Sequence, residues 1–157
     1  MPQDESVTIR PAARADLPAL VALYRELESE SSRVDLPIAE SIFERIQKYP
    51  DYSIYLATEA GAVIGTFALL IMEAIGERCA PVGIVEDVVV ARSARSRGIG
   101  GAMMRFAMDR CTAAGCYKIV LSSNARRRDA HRFYESLGFE RHGYSFVVKL
   151  SRNDQGK

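Results

Sequence analysis

Residues 84–105, IVEDVVVARSARSRGIGGAMMR, gather the residue types that bind phosphate. An apolar run from Ile84 to Val90, interrupted by Glu86 and Asp87, leads into a basic, glycine-bearing turn and then an amphipathic stretch beginning near Gly100. Strand, glycine turn and helix start, in that order, offer an anion the N–H groups that a helix cannot satisfy internally, together with the positive end of its dipole. Arg92, Arg95 and Arg97 add full charges. A Walker loop would close in Gly-Lys-Ser/Thr, which is absent. A dinucleotide fingerprint would need G-x-G-x-x-G, and here Gly98 and Gly100 are followed by Met103. What stands there is R-x-x-G-x-G, written Arg95-Ser96-Arg97-Gly98-Ile99-Gly100.

A second stretch, NARRRDAHRFYESLGF at residues 124–139, carries a phenol on a short amphipathic helix. Asp129 is expected to cap that helix, Ala130, Phe133, Tyr134 and Leu137 to form its inner face, and Gly138 to close it. Arg126, Arg127 and Arg128 form a basic cluster, read either as a phosphate site or as a solvated face. His131 beside them is a second acid/base group or a surface residue.

Together, R-x-x-G-x-G and A-x-x-F-Y-x-x-x-G-F, about thirty residues apart, resemble the two acetyl-CoA motifs of the GNAT superfamily of N-acetyltransferases. The resemblance spans roughly residues 7–150. It implies an α/β fold of α+β type: a mixed, mostly antiparallel, twisted sheet of six to seven strands with about four helices on both sides. It also implies a pantetheine arm lying on the backbone of residues 86–90, with Val88, Val89 and Val90 in contact, where strands four and five splay apart. The pyrophosphate would sit on the N–H groups of Arg95, Ser96, Arg97, Gly98, Ile99, Gly100 and Gly101. Many members have glycine where this chain has Ser96, and a positive φ is less comfortable for serine.

By the same resemblance Tyr134 is the general acid toward the departing CoA thiolate. Glu86 acts on the amine as a base, directly or through water, or binds its ammonium form. Asp87 competes for that role and points the other way if the strand alternates regularly; a bulge would disturb the parity. An N–H near Val88 is the oxyanion donor, and Phe133 packs in the core or against pantetheine. Asn124 contacts pantetheine or nearby waters, or is a turn residue. The wording around 84–90 and 115–121 resembles glucosamine-6-phosphate acetyltransferases, and that of 122–134 aminoalkylphosphonate acetyltransferases. Both imply a small amine bearing a phosphoryl group, which would engage Arg126, Arg127, Arg128 and Arg33. The expected reaction is therefore transfer of acetyl from acetyl-CoA to a small-molecule primary amine in a ternary complex. The alternatives are a protein or peptide N-acetyltransferase and a non-catalytic acyl-CoA sensor.

The elements that must position these residues follow from bulk numbers and periodicity. The chain has 157 residues, 48% hydrophobic and 26% charged, with net charge +1. That describes one domain, residues 1–150, with a flexible tail at 151–157. A balance so near zero argues against nucleic acid and membrane as partners. No signal pattern and no run of 18 apolar residues occurs, so the cytoplasm is expected. Cys79, Cys111 and Cys116 form no C-x-x-C pair, and with two histidines no metal site is expected. Cys111 and Cys116 flank a helix end and read as small apolar residues.

In order, residues 7–10 alternate as a strand. Asp16 looks like the N-cap of a helix running to about Glu28, and a second helix has Ile38, Ile42, Phe43 and Ile46 on one face. These two helices make either a lid over a cleft or surface packing. Strands at 52–58 and 63–72 flank a hairpin turn, and residues 73–83 are a loop before the central strand. The following helix has Met103, Phe106, Ala107, Cys111 and Ala114 inward and ends at Gly115. A strand at 117–122 precedes the second motif, and a last strand pair ends at residues 144–150, a candidate homodimer interface.

Overall fold

The computed structural model describes residues 7–26 and 34–151, divided after Leu121 into two compact units. Arg33 and the final residues of the first predicted helix lie outside the described residues. The first unit holds β1 (Val7–Pro11), α1 (Leu17–Arg25), α2 (Leu36–Ile46), β2 (Tyr52–Glu59), β3 (Ala62–Met72), α3 (Gly76–Cys79), β4 (Val82–Val90), α4 (Ile99–Ala113) and β5 (Lys118–Leu121). The second holds α5 (Arg128–Ser136).

The strands form one sheet in the order β1-β2-β3-β4-β5. The first four run antiparallel, β2 to β4 through short connections and β1 to β2 across the stretch that holds α1 and α2, while β5 returns parallel to β4 after crossing through α4. The β2–β3 turn places Ala60 at φ 47° and Gly61 at φ 80°, the paired left-handed geometry that matches strand twist in a two-residue hairpin. Five strands are present among the described residues, fewer than the six to seven expected. The missing ones are the predicted C-terminal pair: residues 139–151 carry no ladder. A β-rich segment without a partner edge has nowhere to place its backbone hydrogen bonds, so it is no strand.

Alternation along β2 and β3 divides the apolar residues between two faces. Leu56 and Ala68 pack with Leu17, Leu20, Phe43 and Ile54 under α1 and α2. On the other face Tyr55 and Phe67 stack at 5.2 Å, and Phe106 of α4 meets Tyr55 edge-on at 5.0 Å. Met103, Met104, Ala107 and Cys111 are buried along α4, while Ala114, expected inward, is exposed. A Cβ on Gly65 would stand 2.9 Å from Met103 Sδ, so α4 approaches β3 where glycine leaves room.

Of two expected caps, one holds its place and one is corrected. Asp16 is the N-cap residue of α1, at the end of a 3-10 turn, but its carboxylate makes no capping bond to α1: it accepts from Ala13 N–H at 2.7 Å and takes Arg10 at 2.7 and 2.8 Å. The guanidinium holds that carboxyl below the usual carboxylate range. Asp129 lies inside the first turn of α5, whose N-cap is Arg127, and bonds Arg132 instead. The cap of α2 is Asp35, which accepts from Ile38 N–H at 3.1 Å. The loop at 73–83 contains α3, one turn in which Glu77, Arg78 and Cys79 have φ of 44°, 60° and 60°, a left-handed course that costs L-residues energy.

Candidate functional site

The glycine turn of the first unit offers an anion the main-chain N–H groups of a helix start. Ser96 sits at φ 59° and Gly98, the N-cap of α4, at φ 79°. The serine therefore occupies the left-handed position for which the sequence makes glycine the comfortable choice. The first intrahelical bond shown at this end is Ala102 N–H to Gly98 O at 3.0 Å. The N–H groups of Ile99, Gly100 and Gly101 thus have no acceptor within the helix. The arginines are tied to the protein. Arg97 makes a two-pronged pair with Glu59 of β2 at 2.6 and 3.2 Å, and Arg95 Nε donates to Val90 O at 3.3 Å. Arg92 bonds Glu26 through its N–H at 2.8 Å and through its guanidinium to the carbonyl at 3.0 Å. The turn offers main-chain N–H groups and a helix dipole more than free guanidinium charge.

β4 enters this turn through a bulge. Its partners in β3 run Ala68↔Glu86 and then Thr66↔Val89, so Asp87 and Val88 together face Phe67. Asp87 takes φ 52° at that point, a conformation aspartate tolerates better than most residues. The consequence corrects strict alternation. Glu86 and Val89, three residues apart, both project to the α1–α2 face, and Glu86 and Asp87 are both exposed. Both carboxylates act on the Tyr52 phenol, whose pKa is raised first by burial and then by the charges of Asp87 and Glu86. Tyr49 stacks edge-on against Tyr52 at 6.0 Å. Strand periodicity alone does not reveal this two-carboxylate, two-tyrosine group; it needs the β2–β3–β4 register.

On its other edge, β4 pairs with β5 only from Val82↔Lys118 to Val85↔Leu121. Among the described residues, no strand lies along that edge of residues 86–90, which include Val88, Val89 and Val90. The ladder stops where the bulge begins.

In the second unit Tyr134 is half-buried between Phe133 at 5.1 Å and Phe139 at 5.7 Å. Burial raises its phenol pKa, and Arg127 opposes that rise. Asn124 is a turn residue: its Oδ1 accepts from Arg126 N–H at 2.9 Å, and its carbonyl lies 2.9 Å from His131 Nε2. That bond ties His131 to the turn. Arg126, Arg127 and Arg128, with Asp129 and Ala130, line an open depression of about 370 Å³. The three guanidinium groups have no ion pair among the described residues. Ser123 Oγ is buried without a hydrogen-bond partner, an orphan that a bound polar group would satisfy. Among the described residues no cluster of metal-ligating side chains occurs, and no helix is long and apolar enough to cross a membrane.

Known proteins resemble this chain in sequence and in fold. Over 99 residues the chain is 31% identical to glucosamine 6-phosphate N-acetyltransferase of Arabidopsis thaliana, covering 61% of this chain and 64% of that protein. It is 28% identical over 142 residues, 90% of each protein, to aminoalkylphosphonate N-acetyltransferase of Salmonella typhimurium. The crystal structure of glucosamine-6-phosphate N-acetyltransferase from Arabidopsis thaliana matches with a TM-score of 0.81 and 26% identity, covering 94% of this chain and 100% of that one. A model of the Acetyltransferase (GNAT) family matches residues 19–139, and the chain therefore belongs to the GNAT family of N-acetyltransferases.

Proposed function

We propose that the protein moves the acetyl group of acetyl-CoA to the primary amine of a small molecule bearing a phosphate or phosphonate, by direct attack within a ternary complex. The observation that carries this reading is the β4 edge, which loses its β5 partner at Val85 and bulges at Asp87. It leaves main-chain donors and acceptors free for a pantetheine arm, one strand length before a turn of free N–H groups that suits a pyrophosphate. The orphan Ser123 hydroxyl also fits a polar ligand.

Transfer to an amine sets three requirements. The amine must lose its proton, because an ammonium has no lone pair; Glu86, exposed beside Asp87 and Tyr52, takes it directly or through water. Charge developing on the acetyl oxygen needs a donor, which the N–H near Val88 supplies. The leaving thiolate needs a proton, and Tyr134 holds one well past neutrality because burial raises its pKa. A phenol gives that proton to a thiolate, whose conjugate acid lies near pKa 8.5, only when the two are held together. Arg126, Arg127 and Arg128 would take the phosphoryl group of the acceptor; support comes from their open depression and from the phosphoryl amines named for the two relatives. The exposed apolar residues Tyr144, Phe146, Val148 and Leu150, each at least 77% exposed, support pairing of two copies through this segment, which sedimentation of the wild type and of a Phe146→Asp variant would test.

The test of function is release of CoA thiol across an amine panel containing 2-aminoethylphosphonate, glucosamine 6-phosphate, polyamines, amino acids and short peptides. Turnover is expected with the phosphoryl amines. Turnover with peptides alone, or tight acetyl-CoA binding without turnover of any amine, would overturn the assignment.

A further inference from the structure

Cys111 and Cys116, which the proposed chemistry does not use, are brought together by the way α4 ends. Gly115, at φ 77°, lets the chain wrap back, so that Cys116 N–H reaches Cys111 O at 3.0 Å and Gly115 N–H reaches Thr112 O at 3.1 Å. This pair of bonds is a Schellman motif, in which the side chains three positions before the cap and two after it commonly meet. The same motif ends α5: Phe139 N–H reaches Tyr134 O at 3.1 Å, Gly138 N–H reaches Glu135 O at 3.0 Å, and the side chains at the equivalent places, Tyr134 and Phe139, are in ring contact. In α4 those places are held by two thiols. Burial raises the Cys111 thiol's pKa first, and Cys116 adds to the rise as a neighbouring charge and hydrogen-bond partner.

The two thiols differ in access. Cys111 is 4% exposed, its sulfur set in the notch left by Gly83 of β4, where a Cβ would be 2.2 Å from Sγ. Cys116 is half-exposed in the connection to β5. A buried thiol beside an accessible one, on a turn that holds their backbones in place, is the arrangement of a resolving and an attacking cysteine.

We infer that Cys111 and Cys116 form a reversible disulfide across the α4 C-terminal turn, with a low-molecular-weight disulfide such as oxidised glutathione as the oxidant. Cys116, as thiolate, attacks one sulfur of the oxidant, forming a mixed disulfide and expelling one glutathione thiolate. Cys111 then loses its proton and attacks the Cys116 sulfur, so the protein S–S bond forms and the second glutathione leaves. Two protein thiols lose two electrons, the oxidant gains them, and the two protons end on the two glutathiones. The inference does not depend on the proposed acetyl transfer.

Full-length reduced protein would be incubated with oxidised glutathione, quenched in alkylating agent under denaturing conditions and digested with trypsin. Both cysteines fall in one peptide, residues 111–118, so the disulfide reads as that peptide lighter by two hydrogens and free of alkylation. That product, reversed by dithiothreitol, is expected. Cys116→Ser should leave residue 111 alkylated, and Cys111→Ser should trap glutathione on Cys116. Cys79 on α3, exposed and distant in sequence, serves as an internal control for adventitious adduct formation. Lasting glutathione on Cys116 with Cys111 free in the wild type, or both thiols free while Cys79 reacts, would overturn the inference.

Discussion

Replacing Gly83 by alanine sets a new Cβ 2.2 Å from Cys111 Sγ, well inside the contact distance of about 3.5–4 Å. Gly83 cannot easily retreat, because its strand is paired on both sides, with Ile71 and with Ile119. The cost should therefore fall near the top of the about 1–3 kcal/mol that overpacked cores show. Cys111→Ala alone deletes one buried sulfur, comparable to a deleted methyl, at about 1 kcal/mol. In the double variant the added methyl enters the space the sulfur left. Its remaining neighbours, Cβ of residue 111 and Ile119 Cγ1, each lie at 3.5 Å, an ordinary contact. The pair should then unfold within about 1 kcal/mol of wild type, whereas simple addition predicts a loss of about 3–4 kcal/mol, a coupling of about 2–3 kcal/mol. Urea melts of the four proteins, with unchanged m-values, measure it. A double variant as unstable as the sum of the singles would show that the sulfur and the glycine do not share one space, and the packing account of α4 on β4 would fall with it.

Ser96→Gly should raise stability by about 1 kcal/mol in the same assay, because glycine removes the left-handed penalty at φ 59°; an unchanged or lower midpoint contradicts the turn geometry. Tyr134→Phe should lower kcat by roughly 10²–10⁴-fold while leaving CoA affinity in calorimetry near wild type; a parallel loss of affinity would make the phenol a packing group. Burial pushes the Cys111 thiol from an ordinary value near 9 up to about 12. Above about pH 9 the unfolded chain releases a proton that the folded one keeps, so this contribution to stability is present below about 9 and fades as pH rises toward 12. Cys111→Ala should therefore show a shallower alkaline loss of stability than wild type.

The parts of this fold legible in the sequence are those set by local chemistry. Ala60 and Gly61 announce a hairpin, Gly98 and Gly115 bracket α4, and the alternation of residues 52–58 gives β2. Ser96 was the one place where the turn pattern and the residue type disagreed, and the structure places it at a positive φ. What periodicity could not give depends on partners far along the chain. The face of Glu86 follows from a bulge opposite Phe67, and its company with Tyr52 from the register of three strands. The N-cap place of Asp16 is legible from its type, but not that Arg10, six residues earlier, claims its carboxylate. Residues 144–150 have the composition of a strand, yet a strand is a property of two edges. Cys111 and Cys116 read as apolar filler because sequence shows their spacing and not the wrap between them.

The four-residue parallel pairing of β5 with β4 has a kinetic consequence. Strands β2 to β4 are joined by short antiparallel connections whose closure costs little entropy, whereas β1 is separated from β2 by the stretch that holds α1 and α2, and β5 registers on β4 only after the chain has travelled through the whole of α4. The sheet should therefore assemble from the meander outward, with the β5 contacts formed after the rate-limiting barrier. Substitutions at Ile119 or Val120 should then speed unfolding and leave refolding rates nearly untouched, while those at Leu56 or Phe67 should slow refolding.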